Sequence, residues 1–251
     1  MSGPGEKLWA ALPLGRGVEL IARDANGLAA FAKPAGVLSH PNGPKDEPRS
    51  LLQARYDLER ETYAWTDASG APAGLHLLNR LDSATSGVIL AAADEGLARE
   101  IRAQFRRKQV HKVYVALVFG RPPAGRQTWR DRLAVEKRGA RIRTSAGDGI
   151  PSECDVSVRR AAKEAGLALL QLEPRTGRSH QLRVQCARHG LPIAGDQTYG
   201  DFPRNREFAK RAGTKRLFLH SLATDFTYEW AGRKFSFSAQ APLPPEFEAA
   251  L

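Results

Sequence analysis

Residues 75–93 read LHLLNRLDSATSGVILAAA, and the prediction of the fold starts from this stretch. An apolar run, residues 87–93, follows a polar turn that contains one carboxylate, that of Asp82. Arg80 lies two residues before the acid, and hydroxyl side chains crowd the same turn. A loop that leads into a buried strand can direct one acid toward a cleft while the strand fixes its position. The alternative is that Asp82 only caps the turn, as aspartate commonly does.

The chain carries a large excess of positive charge. Lys and Arg together number 38 and Asp and Glu 27, so the net charge is +11, and the pI is near 10.0. A charge of this size is typical of a protein that binds nucleic acid. It also fits a protein that is merely basic and soluble, or one that meets anionic lipid. On charge alone, we favour nucleic acid as the partner.

Cysteine usage and hydropathy restrict the class of protein. The two cysteines, Cys154 and Cys186, do not form a CxxC pair, which argues against a disulfide framework and against a zinc ribbon. This usage is typical of the reducing cytosol, so we expect a cytoplasmic protein. No apolar run approaches the roughly 18 residues of a transmembrane helix, and the N-terminus lacks the pattern of a signal peptide. We therefore expect no membrane partner.

Length and turn signals predict one main domain of mixed α and β structure. Residues 1–16 are rich in glycine and proline and are expected to form a loose arm, followed by a single domain over residues 17–251. Asn26-Gly27 predicts a hairpin. The other predicted strands lie at 18–22, 28–32, 111–120, 154–161 and 167–173. Helices are predicted at 51–64 after Ser50, at 95–108 after Asp94, and from the Thr176-Gly177 turn to about His189. Residues 201–215 form a polar, basic insertion.

Several motifs in a fixed order resemble those of one enzyme family. Asn79-Arg80-Leu81-Asp82, followed by Thr85-Ser86-Gly87, resembles the H-R-L-D-x-x-T-S-G motif of the RluA-type family of RNA pseudouridine synthases. Asn79 stands where this family usually has His. Further segments that resemble the family are K-P-A-G at 33–36, K-V-Y-V-A at 112–116, T-G-R-S-H-Q-L-R at 176–183, L-P-I-A-G-D at 191–196, R-L-F-L-H at 216–220 and A-P-L-P at 241–244.

The resemblance covers residues 18–247 and implies a fold. It implies an α+β architecture, the pseudouridine synthase fold, in which a mixed, mostly antiparallel curved sheet has helices packed outside and an active cleft along its middle. Many relatives carry an N-terminal RNA-binding domain of the S4 type. The sequence leaves no room for such a domain before Lys33, so the chain is expected to be a catalytic domain alone.

The implied activity is the isomerisation of specific uridines to pseudouridine in structured RNA, either rRNA or tRNA. The reaction has no redox step, so no nicotinamide or flavin is needed. Neither a cofactor nor a metal is expected. Asp82 is the expected catalytic carboxylate. A fixed arginine would offset the cost of keeping it ionised. Arg183 is the first candidate and Arg178 the second, and whether Asp82 attacks C1′ or C6 stays open.

The resemblance also assigns roles around the base. Tyr114 matches the family's active-site tyrosine and would stack on the uracil, although a half-buried tyrosine is also ordinary core packing. The target nucleotide must leave its stem to be reached. In relatives, the arginine at the position of Arg80 occupies the gap that the flipped base leaves.

Basic residues at the end of the second predicted helix, and just after it, are expected to bind RNA phosphates. The cluster comprises Arg102, Arg106, Arg107, Lys108, His111 and Lys112, and the basic insertion is expected to add phosphate contacts over residues 204–216. Cations near a helix C-terminus favour its dipole, so part of this cluster serves the helix. Five or more like charges exceed that need, which indicates a phosphate-binding patch.

Two other functions are compatible with parts of the sequence. One is a non-catalytic RNA-binding protein that retains the synthase fold, for which Asn79 is the only support. The other is a basic nuclease-like hydrolase, which would want clustered metal ligands, whereas the carboxylates here are scattered. A monomer is the default expectation for the oligomeric state.

Overall fold

The computed structural model describes residues 8–138, 141–147, 149–162 and 164–251. Its strands are β1 (Glu19–Arg23), β2 (Leu28–Lys33), β3 (Arg55–Asp57), β4 (Thr62–Thr66), β5 (Pro72–Leu77), β6 (Ser86–Ala92), β7 (His111–Phe119), β8 (Gln127–Arg138), β9 (Arg141–Ala146), β10 (Ile150–Ala162), β11 (Leu167–Pro174), β12 (Leu219–Trp230) and β13 (Arg233–Gln240). Its helices are a 3₁₀ helix (Pro44–Arg49), α1 (Glu95–Arg107), α2 (Gln181–Arg188), α3 (Phe202–Ala212) and α4 (Pro245–Ala249).

The chain divides into two compact units, and the first comprises the described residues up to Val110 together with Ala223–Pro242. Its strands pair in the order β3-β4-β5-β6-β2-β1, and each of these pairs is antiparallel. The part of β12 that belongs to this unit forms an antiparallel hairpin with β13. β6 is buried at every position, as expected of a strand covered on both faces.

Helix α1 closes the core of the first unit. Asp94 caps it by accepting a hydrogen bond from the Leu97 backbone N–H at 2.8 Å, and Lys108 ends it in the left-handed conformation. Leu97 and Ile101 are fully buried against apolar residues of β2, β6 and the β12–β13 hairpin. These contacts confirm the predicted helix and its cap.

The second unit comprises His111–Leu222 and Leu243–Leu251. Its strands pair in the order β7-β11-β10-β8-β9, again with every pair antiparallel. Cys154 and Cys186 are both buried and unbridged, and burial raises the pKa of each thiol. The predicted α+β class is confirmed in both units.

The predicted helix over residues 51–64 is wrong. Two strands, β3 and β4, occupy its second half and pair Tyr56 with Tyr63 in antiparallel register. The Tyr63 side chain is fully buried, its hydroxyl donates to the Ser39 carbonyl oxygen at 2.7 Å, and its ring lies 4.8 Å from that of Tyr56. Aromatic side chains pack well on a pleated surface, so tertiary contacts outweigh the helical spacing of the leucines. Ser50, the expected cap, instead follows the end of the 3₁₀ helix.

The basic insertion at residues 201–215 contains helix α3, which was not predicted from the sequence. Asp201 caps α3 by accepting from the Arg204 backbone N–H at 3.0 Å. Only two side chains of α3, those of Asn205 and Phe208, are buried. So narrow a buried stripe gives little periodic signal among arginines and lysines.

The predicted N-terminal arm is only partly described, because residues 1–7 lie outside the described residues. Near its end the chain is hydrogen-bonded: the Gly15 N–H donates to the Leu51 carbonyl at 2.9 Å, and the Gln53 N–H donates to the Pro13 carbonyl at 2.7 Å. The division into an arm and one domain stays a prediction. None of the helices in the described part of the chain combines the length and apolar character needed to cross a bilayer.

Replacement of Ile101 by alanine tests the role of α1 in the first core. Ile101 is fully buried, so the substitution leaves a cavity and should lower the free energy of unfolding by about 3 kcal/mol in urea titrations. Arg99→Ala is the matched control on the same helix, because the one ion pair of Arg99 within the described residues is an exposed contact with Glu95 at 3.8 Å. It should change stability by less than about 0.5 kcal/mol. Equal effects of the two substitutions would contradict the packing described.

Candidate active site

The residues predicted for the site are distributed over both units, and Asp82 lies in the first. Asp82 occupies the turn between β5 and β6, and its side chain is partly exposed. Its carbonyl oxygen accepts from the Thr85 N–H at 3.0 Å, which closes the turn. β6, buried throughout, begins immediately after this turn at Ser86. A carboxylate that contacts solvent thus sits on a rigid support.

A buried lysine holds the backbone of this turn. The Lys33 ammonium is 1% exposed and donates to the carbonyl oxygens of Pro34 at 3.0 Å, Val37 at 2.7 Å and Ser83 at 3.1 Å. The Gly36 N–H also donates to the Ser83 carbonyl, at 2.7 Å. The K-P-A-G segment therefore binds the residue directly after Asp82.

A serine fixes the residue on the other side of the acid. The Ser39 hydroxyl donates to the Leu81 carbonyl at 2.8 Å and accepts from the Leu81 N–H at 2.9 Å. Ser39 is itself held, because its carbonyl accepts from the buried Tyr63 hydroxyl. Asp82 is therefore flanked by two residues whose main-chain groups are bound to neighbouring segments.

Asn79, which departs from the family motif, has a structural contact. Its side-chain oxygen accepts from the Leu90 backbone N–H at 2.8 Å. The contact joins the segment before the turn to β6, and it leaves the carboxylate of Asp82 untouched. Arg80 is exposed, with a side chain 62% accessible and a long contact of 3.8 Å to Glu61.

The cations at the end of α1 differ in what they contact. Arg102 is structural: it donates to the Leu77 carbonyl at 2.7 Å and pairs with Glu61 at 3.3 Å. The residues predicted to bind phosphates, Arg106, Arg107 and Lys108, are exposed. Arg107 makes a contact of 3.8 Å with Glu100, a distance that contributes little at a solvated surface.

In the second unit, Arg183 forms a buried ion pair with Asp196. Nε and Nη2 of Arg183 donate to the two carboxylate oxygens, each at 2.8 Å, and the guanidinium lies 5.1 Å from the centre of the Tyr199 ring. Burial raises the pKa of Asp196. The hydrogen bond and charge of Arg183 and the backbone N–H groups of Tyr199 and Thr198 have a larger opposite effect, so the pKa lies below its usual value. Arg183 is therefore a rigidly held cation.

Arg178 differs from Arg183 in its setting. It is exposed, in the turn before α2, and its backbone N–H donates to the side-chain oxygen of Gln181 at 3.1 Å. That turn is fixed by His180, which adopts φ 53° and whose Nδ1 lies 2.8 Å from the Tyr199 hydroxyl. Between the two candidates, burial and a fixed geometry favour Arg183 as a positioned partner for an anion.

Tyr114 and Lys112 lie on the same face of β7, because side chains two residues apart along a strand point the same way. Both are partly buried. The Lys112 amine lies 3.8 Å from the position that a Cβ on Gly177 would take. Burial lowers the pKa of Lys112 to about 8. The partnership of Asp82 with Tyr114 and Arg183 joins residues of different units and stays a prediction.

The residues that support the site were not predicted from the sequence. Lys33 and Asp196 both lie within the motifs that resemble the family, but the motifs alone assign them no role. The signal for Asp196 was a lone acid after the apolar segment L-P-I-A-G. Among the described residues, no group of three or more His, Cys, Asp or Glu side chains is arranged to hold a metal ion.

The chain is similar in sequence to known proteins of one family. The family profile described as RNA pseudouridylate synthase matches residues 27–188. Ribosomal large subunit pseudouridine synthase C of Vibrio cholerae is 36% identical over 177 residues, which cover 70% of this chain and 54% of that protein. The protein of the same name from Escherichia coli K12 is 36% identical over 168 residues, covering 66% and 52%. The chain thus spans about half the length of these curated relatives.

Solved structures share the fold. Human RNA pseudouridylate synthase domain containing 1 superposes with a TM-score of 0.68 at 22% identity, covering 100% of this chain and 90% of that one. Human RNA pseudouridylate synthase domain containing 4 gives 0.63 at 20% identity, covering 98% and 93%. The predicted pseudouridine synthase fold is confirmed.

Replacement of Asp196 by asparagine tests the buried ion pair. We expect the free energy of unfolding at pH 7 to fall by about 3–5 kcal/mol, because the buried Arg183 charge loses its counterion. Since the pKa of Asp196 is lowered by folding, its contribution is full above pH 4 and is lost as the pH falls through the folded value. As the pH falls below 4, the free energy of unfolding of the variant should therefore decrease less than that of the wild type.

Glu248→Gln serves as the control, because Glu248 pairs with Arg160 at 3.0 Å with both side chains more than half exposed. In urea titrations from pH 2.5 to pH 7, the free energy of unfolding of this variant should stay almost equal to that of the wild type at each pH. A parallel pH dependence in the wild type and the Asp196→Asn protein would argue against the assigned role.

Proposed function

Since the chain belongs to the RNA pseudouridylate synthase family, we propose that it isomerises specific uridines of a structured RNA to pseudouridine. Asp82 is the proposed catalytic carboxylate. The main support is its setting: a partly exposed acid on a turn that the buried ammonium of Lys33 holds by its main chain. The names of the curated relatives favour ribosomal RNA over tRNA as the substrate. Action on ribosomal RNA would place the protein in the cytoplasm, and we propose a monomer.

The reaction is an internal transfer. The bond between N1 of uracil and C1′ of the ribose breaks, the base turns, and a new bond joins C5 to C1′. The proton on C5 leaves, and N1 gains one, so the product has the composition of the substrate. Nothing is oxidised or reduced. The carboxylate of Asp82 is the nucleophile, whether toward C1′ or toward C6.

Arg183 is the proposed partner of the ionised Asp82. Two of its nitrogens, Nε and Nη2, bind Asp196, which fixes the orientation of the guanidinium. A guanidinium already fixed by one carboxylate loses little freedom when it binds a second. Tyr114 is the proposed platform for the uracil ring, and its partly buried position on β7 leaves part of its surface available.

Arg80 is proposed to occupy the space that the flipped nucleotide leaves, which its exposed side chain allows. Arg106, Arg107, Lys108, Lys112 and Arg178 are proposed contacts to the RNA. The alternative function, RNA binding without catalysis, depended on Asn79. The structural contact of Asn79 with Leu90 weakens that support, since it explains the residue without loss of Asp82.

Replacement of Asp82 by asparagine tests the catalytic assignment. We expect conversion of uridine in unmodified ribosomal RNA to fall at least 10³-fold, because the amide cannot act as the nucleophile, while RNA affinity changes less than about threefold. Pseudouridine mapping and filter binding measure the two quantities. Asp46→Asn, a surface acid paired with Arg49, should convert at the wild-type rate. Full activity of Asp82→Asn would exclude Asp82 as the catalyst.

Charge reversal at Arg106 and Arg107 tests the basic patch on α1. Replacing both with glutamate should weaken RNA binding and reduce the slope of log K against log salt by about one for each phosphate that the variant no longer binds. The matched control reverses Arg159 and Arg160, two adjacent exposed arginines on β10, and should leave the slope unchanged. If both double variants behave alike, the effect is one of net charge and the patch has no special role.

A further inference from the structure

Helix α3 borders a groove of about 670 Å³ in the second unit. The groove runs along one face of the helix, on which Phe202, Arg206 and Lys210 follow at intervals of four residues. The segment before α3 and the segment after it, including Lys215, complete the lining. Its volume is in the range of ordinary small-molecule pockets, which is enough for a nucleotide.

An exposed aromatic ring stands at one end of this groove. Phe202 is 50% exposed, which makes it the most exposed phenylalanine in the described part of the chain. Its neighbour Phe208 is 3% exposed and packs edge-on against Phe119 and Phe218 at 5.7 and 5.1 Å. Phe208 thus serves the core, whereas Phe202 contributes little to folding.

The cations of the groove are not needed by the fold. Arg206, Lys210 and Lys215 are exposed, and none of them forms an ion pair within the described residues. Two arginines close by in sequence behave differently. Arg204 donates to the Gly166 carbonyl at 3.0 Å and lies over the Phe119 ring, and Arg216 pairs with Glu246 at 3.3 Å.

The groove borders the segment that contains Asp196, the ion-pair partner of Arg183. Gly195 and Gln197 line it, and they flank Asp196, whose carboxylate binds Arg183. Asn205 of α3 fixes this junction: it accepts from the Gly195 N–H at 2.7 Å and donates to the Asp196 carbonyl at 2.9 Å. A ligand in the groove would therefore lie beside the segment that positions Arg183.

We propose that this groove binds an unpaired nucleotide of the substrate RNA. The base stacks on Phe202, and the backbone phosphates contact Arg206, Lys210 and Lys215. Aromatic rings flanked by cations bind single strands in this way, because every base has a π face and every nucleotide a phosphate. The single acid of α3, Glu207, does not line the groove, so its charge complements a polyanion. This inference rests on the proposed function.

The test measures binding of a fluorescein-labelled decamer of uridine by anisotropy at several salt concentrations. Phe202→Leu keeps the apolar volume but removes the ring, and we expect about tenfold weaker binding. Phe202→Trp keeps a ring and should bind at least as tightly as the wild type. The pair Lys210→Gln and Lys215→Gln should reduce the salt slope by about 0.7 for each phosphate that is released. Thermal unfolding verifies that each variant folds.

Two controls separate the groove from general effects. Ile150→Ala changes an apolar residue that is also 50% exposed, and Lys234→Gln removes an exposed cation on β13. Neither should alter binding. Wild-type affinity of Phe202→Leu, or a loss in Phe202→Trp equal to that in Phe202→Leu, overturns the inference. A labelled decamer of glutamate is tested in the same way. If its binding depends on Phe202 and the binding of the uridine decamer does not, the inference is also overturned, because the groove would then fit an acidic protein.

Conversion of uridine in unmodified ribosomal RNA is measured in parallel on the wild type. Conversion by the wild type together with oligouridine binding that is independent of Phe202 removes the groove assignment and keeps the proposed function. No conversion together with binding that depends on Phe202 removes the proposed function, while the groove remains an RNA site.

Discussion

A single buried ammonium fixes the turn on which the proposed chemistry depends. Lys33 is almost fully buried and donates to three main-chain carbonyl oxygens, two from its own segment and one from Ser83. A buried charge costs free energy unless hydrogen bonds compensate it, so the amine holds these carbonyls close. β2 and β6 also pair at this point, with Lys33 opposite Gly87. The result is a carboxylate with access to solvent on a backbone that has little freedom.

Sequence patterns predicted those elements whose signals are local. The Asn26-Gly27 hairpin and the cap of α1 at Asp94 need only neighbouring residues, and both are present. The strands β3 and β4 depend on the burial of Tyr63, which comes from residues distant in the chain. Helix α3 depends on a short buried stripe and on the side-chain bonds of Asn205. Such tertiary contacts leave no periodic pattern.

The candidate site shows the same division between local and distant information. The proposal of Asp82, Tyr114 and Arg183 as site residues came from short motifs that resemble those of the family. The supporting residues were missed, since a lysine before Pro-Gly resembles a solvated turn and an acid after a glycine resembles a cap. Only the structure shows that both side chains are buried, at 1% exposure, with Lys33 bonded to carbonyl oxygens and Asp196 paired with Arg183. Their contacts fix the backbone beside Asp82 and the guanidinium of Arg183.

The cationic side chains of the chain fall into two groups, those bonded within their own unit and those exposed to solvent. Arg102, Arg204 and Arg216 bind carbonyls, rings or acids inside their own unit, whereas Arg106, Arg206 and Lys210 extend into solvent. Net charge alone therefore overstates the surface available to a polyanion.

The two cysteines have a practical consequence for the bench. Both thiols are buried, and burial keeps them protonated at neutral pH, while maleimides and other alkylating dyes react with the exposed thiolate. A cysteine introduced at a solvated position would be the preferred site of attachment in the folded protein. Fluorescent or spin probes can thus be placed on this chain one at a time, with its native sulfur atoms left in place.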